Sequence, residues 1–263
     1  MTAAQVAPRR SSRSPVVPDQ HGAWGFLALP VALGITAAGL SWSLVPLVVA
    51  WVAAYPFSWA LTGRLTARRP ERFNRALVVW GVLAAPAALL SVALRPWLVW
   101  IGLGYLALYG VSLAFARQRN ERALANDLVL VAQCSGMVAV VAGAVSGADG
   151  WMLPRDAMLT AHVVVMTLVC ALTLVGSTLH VKSLIRERNN PAYARASTMF
   201  AVTSMPVVAV AAVAAELGWW LAFPFVLLAA RAIWRQPTWR PARIGLVELG
   251  CLLAVVGGAA FSV

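Results

Sequence analysis

An all-α bundle of membrane-spanning helices is what this sequence predicts, and three observations predict it. Of its 263 residues, 61% are hydrophobic and 11% charged, too little polar surface to cover a water-soluble globule of that size. Apolar windows of about 20 residues, the length a helix needs to cross roughly 30 Å of hydrocarbon, recur from one end of the chain to the other. The third observation is the sorting of arginines into alternate loops, which sets the number of crossings and their sense.

Residues 1–20 carry Arg9, Arg10, Arg13, Pro15 and Pro18 and read as a disordered basic tail, ahead of a single domain over 21–263. No small-residue cleavage site follows the first apolar run, so a signal peptide is not expected. PDQHGAWGF opens the first span, with Pro18 and Asp19 as its start signal, and that span runs to residue 40. The second covers 43–63 and ends in the most basic loop, RLTARRPERFNR. Spans three (74–94) and four (97–116) are joined by little more than Arg95 and Pro96. RQRNER leads into span five (123–146), and GADGWMLPRDA, a connection with a net negative charge, leads into span six (158–182). Spans seven (196–215) and eight (217–234) are separated by Glu216, and RQPTWRPAR precedes span nine, from 244 to the end. Prolines 30, 46, 56, 86, 206 and 224 fall inside spans, where neighbouring helices satisfy the carbonyls they release.

Nine spans make a prediction about charge. Of the 21 Lys and Arg, all but Arg95 and Arg155 fall on one side if the tail and the loops after spans two, four, six and eight share a face. The positive-inside rule makes that face cytoplasmic, with the N-terminus inside and the C-terminus outside. Trp97, Trp151, Trp219 and Trp220 then sit at the outer boundary, and Trp234 and Trp239 flank the inner one, as an aromatic belt requires.

The stretch LVGSTLHVKSLIRERNNPAYAR, residues 174–195, is where the chain's chemistry concentrates. Lys182 is the only lysine, and on a helix it shares a stripe with Thr178 and Arg186, while His180, Ser183 and Glu187 lie on the other side. At the same depth this topology places His21 at the start of span one, Asn126 and Asp127 at the start of span five, and Glu248 in span nine. A carboxylate inside hydrocarbon costs about 2.5 to 3.5 kcal/mol, so partners are expected. Asp127 with Lys182 or His180 is the expected pair. The plainer readings are that Asn126 and Asp127 cap a helix, that His21 satisfies a carbonyl, and that the basic residues snorkel to headgroups. Gln133, Cys134 and Ser135 read as helix-packing groups.

Several functional classes are excluded. The net charge of +12 is spread over short loops, so anionic headgroups rather than nucleic acid are the expected counterions. Cys134, Cys170 and Cys251 lie singly in apolar runs without ligand spacing, so neither disulfide nor metal site is expected. Matched histidine pairs for haem are missing, as are GxGxxG, P-loop, HExxH and nucleophile-elbow motifs, so no cofactor is expected.

PDQHGAWGFLALP at the first span and VKSLIRERNNPAYA after the sixth resemble the two signature blocks of the YwiC-like family of bacterial membrane proteins. That resemblance implies a multi-pass protein of the cytoplasmic (inner) membrane and brings no activity with it. More distantly, nine spans with polar loops after the second and sixth resemble the UbiA-type prenyltransferases, in which Asp-rich motifs in those loops hold magnesium and a prenyl diphosphate. The corresponding stretches here, YPFSWALTGRLTARR and HVKSLIRERNNPAY, hold no acid and Glu187 alone, so no metal ligand carries over.

What stands in their place is positive. Arg64, Arg68, Lys182 and Arg186, with His21, Asn126, Asp127 and His180, form the expected site for a phosphate or carboxylate, in a pocket opening to the cytoplasm between spans one, two, five and six. An anionic lipid or a small anion is the expected ligand, membrane lipids the expected partners. Three functions remain open: a lipid or isoprenoid transferase or its non-catalytic descendant, a small-anion transporter, and an assembly factor without a pocket.

Overall fold

The computed structural model describes residues 16–18, 22–234, 236 and 238–263, so Asp19 and His21 lie outside the described residues. The helices are α1 (Gly22–Ala38), α2 (Leu44–Thr66), α3 (Asn74–Leu94), α4 (Leu98–Arg117), α5 (Leu124–Val145), the single turn α6 (Arg155–Met158), α7 (Ala161–Ile185), α8 (Pro191–Ala214), α9 (Phe223–Ile233) and α10 (Pro241–Ala260). Short 3-10 turns, Pro70–Phe73 and Trp219–Leu221, precede α3 and α9. Among the described residues the fold is all-α.

Seven of these helical segments are long and apolar enough to cross a membrane. Two of the nine expected spans are shorter. α1 stops after 17 residues, and the chain leaves it through Gly39, whose φ of +84° suits a residue without a Cβ. The expected eighth span corresponds to the shorter apolar segment Trp219–Ile233, because the chain turns at Glu216 and α9 starts at Phe223, with Pro224 in its first turn. Span six also shifts. Thr160 caps α7 by accepting a hydrogen bond from the Val163 amide, so the helix begins at Ala161 and carries on to Ile185. His180 and Lys182 are therefore within its last turns rather than at its end. Span seven begins at Pro191, five residues early, with Asn190 as its cap.

Successive helices run in alternating directions. At one end, Ser43 before α2 donates to the Ala144 carbonyl in the last turn of α5, Trp97 before α4 donates through its amide to Gly150, and the Gly218 amide donates to Ser262 at the end of the chain. Arg95, one of the two cations expected there, spends its guanidinium on the Ala144 and Leu94 carbonyls, closing two helix C-termini. The opposite end gathers Arg64, Arg117, Lys182 and Trp234.

α7 is the hub. It packs against α1, α5, α8 and α10, and Met166, Val169, Cys170 and Leu174 join Leu29, Val138, Val208, Phe225 and Val255 in the main core. Cys134 and Cys170 are free and buried there, as small core residues. Close approach is set by Gly34 of α1, where an added Cβ would lie 2.6 Å from the Val141 side chain of α5. α3 and α4 are peripheral: few of their residues are fully buried, α3 packs chiefly on α2, and both carry exposed apolar side chains such as Val82, Leu89, Leu103 and Leu106.

Candidate functional site

Two ion pairs flank the last turns of α7, one half-buried and one buried. The first is the pairing expected from the sequence: Lys182 Nζ lies 2.6 Å from Asp127 Oδ2, and the same ammonium donates to the Arg122 carbonyl at 2.6 Å. α5 begins after Ala123, in extended backbone, and no side chain caps it. Asp127 thus sits inside the first turn facing α7 rather than capping its own helix. Asn126 donates to the Glu121 carbonyl at 2.8 Å and fastens the preceding loop. Lys182, with its side chain 8% exposed, is neutralised where it stands. Burial costs both charges, and their mutual attraction offsets part of that cost.

The second pair was not legible from the sequence. Arg231 and Glu248 join α9 to α10 through Nη1 and Oε1, with the side chains 7% and 12% exposed. In the sequence Arg231 counts among the cations of the loop after span eight, because its run ends in Trp234 and Arg235. The available signal was its setting: FPFVLLAARAI is apolar on both sides of the arginine, the same anomaly that singled out Asp127 and Glu248. On α7, Ser177 lies against the Glu248 carboxylate, and His180, one turn further on, faces the same space. That space is a cavity of about 230 Å³ whose lining includes His180, Leu184, Arg231, Trp234, Trp239 and Glu248. It lies between α7, α9 and α10, whereas the sequence placed a pocket between spans one, two, five and six.

The remaining predicted residues are apart. Arg186 is exposed and follows α7 as its C-cap, with its amide bonded to the Lys182 carbonyl. It borders an open groove formed by residues 185–190, which include Arg188, Asn189 and Asn190. Arg64 and Arg68 are exposed at the end of α2, a helix that packs chiefly on α3. Their loop is fixed by Phe73, whose ring occupies the space above Gly63 and meets Trp59 edge-on with centroids 5.3 Å apart. His21 lies outside the described residues. Among the described residues no cluster of three or more His, Cys, Asp or Glu forms a metal site.

Midway along α5, Gln133 and Tyr105 of α4 exchange hydrogen bonds through their backbone carbonyls, the Tyr105 hydroxyl donating at 2.7 Å. Thr62 and Tyr109 meet at 3.0 Å between α2 and α4. These polar groups join helices, as interhelical hydrogen bonds do in membranes.

The apolar helices and the charges buried among them define a multi-pass membrane protein. Its relatives place it more closely. The family model described as YwiC-like protein matches residues 17–142. A Bacillus subtilis (strain 168) protein, carrying the name Uncharacterized protein YwiC, is 32% identical over 180 residues, covering 68% of this chain and 71% of its own. A Haemophilus influenzae protein is 24% identical over 187 residues, 70% of this chain and 74% of its own. The chain belongs to the YwiC-like family. No solved structure matches it, and the likeness to UbiA-type prenyltransferases is not shown by these comparisons.

Proposed function

We propose that this protein crosses the bacterial cytoplasmic (inner) membrane nine times, N-terminus inside and C-terminus outside, and recognises an anionic ligand at the cytoplasmic end of α7. Seven long apolar helices supply most of the crossings, and α1 and the Trp219–Ile233 segment complete them. The sorting of all but two of the 21 cations to one side gives the orientation. One observation carries the ligand reading: exposed Arg186 and Arg188 border the groove over residues 185–190, directly outside a lysine already neutralised by Asp127. The anion-binding role therefore passes outward from Lys182 to Arg186, with the N-terminal dipole of α8 favouring negative charge, while Asn190 caps the Ala192 amide and holds Glu187 through its own side-chain amide. α5 and α7 run unbroken, and the charges lie at one end, which supports one-sided recognition over alternating access.

The test is retention of phosphatidylglycerol by the purified protein, read by native mass spectrometry, with inorganic phosphate as competitor. Arg186→Gln with Arg188→Gln is expected to reduce retention at least about fivefold, in line with about 1 kcal/mol per cation near a headgroup. Displacement by millimolar phosphate points to a free anion, resistance to a lipid headgroup. Equal retention by wild type and double variant contradicts the reading.

A further inference from the structure

The cavity between α7, α9 and α10 is separate from that groove, and its chemistry is different. Its floor holds a complete ion pair, so its net charge is close to zero. Adding an anion would set it against Glu248, and adding a cation would set it against Arg231, in surroundings where neither charge is well screened. Arg231 nevertheless has donors to spare: Nη1 faces Glu248, the Cys251 thiol lies beside the guanidinium as a weak acceptor, and the buried Nε makes no well-formed hydrogen bond among the described residues. An unsatisfied buried donor calls for an acceptor without charge.

Size and lining narrow the choice. At about 230 Å³ the cavity is smaller than the roughly 300–1,000 Å³ that takes a whole drug-sized ligand, so it accepts a head and not a whole molecule. Besides the ion pair, the lining includes Leu184, Ile244 and Val247 and the tryptophans Trp234 and Trp239. Trp234 is 78% exposed and stands where tryptophans lodge at a membrane boundary.

We propose that this cavity seats the uncharged, hydrogen-bond-accepting head of a membrane amphiphile, an ester, amide or alcohol, held by Arg231, with its hydrocarbon chain leaving past Trp234 into the bilayer.

The experiment uses the full chain in phosphatidylcholine nanodiscs and radiolabelled monoolein, a neutral ester-bearing amphiphile, counted above protein-free discs. Saturation at one molecule per chain is expected, with oleate, its anionic counterpart, competing at least tenfold less well. Val247→Trp fills the cavity from its half-buried wall without touching the ion pair, and is expected to weaken binding at least tenfold. Arg231→Met with Glu248→Met removes the donor while leaving no lone charge, and is expected to do the same. Leu246→Trp, on the neighbouring exposed position, is the control and leaves binding unchanged. Binding that does not saturate, oleate competing as well as monoolein, or binding untouched in both cavity variants would overturn the proposal. Because the groove residues Arg186 and Arg188 are intact throughout, failure here leaves the anion reading standing, and the reverse also holds.

Discussion

Lys182 and Glu248 each show how a charge is kept inside a bundle of apolar helices. Removing one member of a buried pair leaves the other uncompensated, a loss of about 3–5 kcal/mol, whereas replacing both by apolar residues of similar size is close to neutral. Glu248→Leu is therefore expected to lower stability by roughly that amount, and Arg231→Met with Glu248→Leu to recover most of it. Thermal unfolding of the purified variants in nanodiscs checks both. At this scale the sequence was informative where a residue was rare. A single lysine and an acid in an apolar run announced themselves, and Lys182 does pair with Asp127. Arg231 was hidden by its commonness, since one arginine among many near a helix end has the look of a loop cation. Telling the two apart requires the fold, which turns Arg231 toward α10.

Helices α3 and α5 were legible nearly to the residue, because their hydrophobic runs are bounded by charged loops on at least one side. α7 lies three residues later at each end than its hydrophobic run indicates, for a local reason: the Thr160 cap lies inside an apolar stretch, and the helix continues past the polar His180 and Lys182 to Ile185. Which helices touch was not legible, since small residues permit contact without naming the partner. Glycines now separate the two cases. Gly34→Leu would drive a side chain into Val141 and the Val138 carbonyl, and is expected to cost several kcal/mol by prying α1 from α5. Gly110→Leu on α4 meets open space, so it is expected to be neutral or stabilising by up to about 1 kcal/mol through helix propensity. Melting temperatures of the two variants, compared under one condition, test the assignment of α1 as core and α4 as periphery.

At the scale of the molecule, the sorting of arginines into alternate connections is the basis of the proposed orientation, whereas packing order leaves no trace in the sequence. Alkaline phosphatase fused after Val263 is expected to be active in a bacterial host, and inactive when fused after Arg117, in the loop that follows α4. The opposite pattern would invert the protein. Everything proposed about its inner end depends on charges from separate helices meeting across α7, and a double-mutant cycle on Lys182→Met and Asp127→Leu measures that meeting most directly. The two losses in unfolding free energy are expected to fall short of additivity by about 1–3 kcal/mol, so that the double variant is more stable than the sum of the single losses implies. Losses that simply add would mean that the two side chains do not meet in the membrane and that α7 does not organise a charged site.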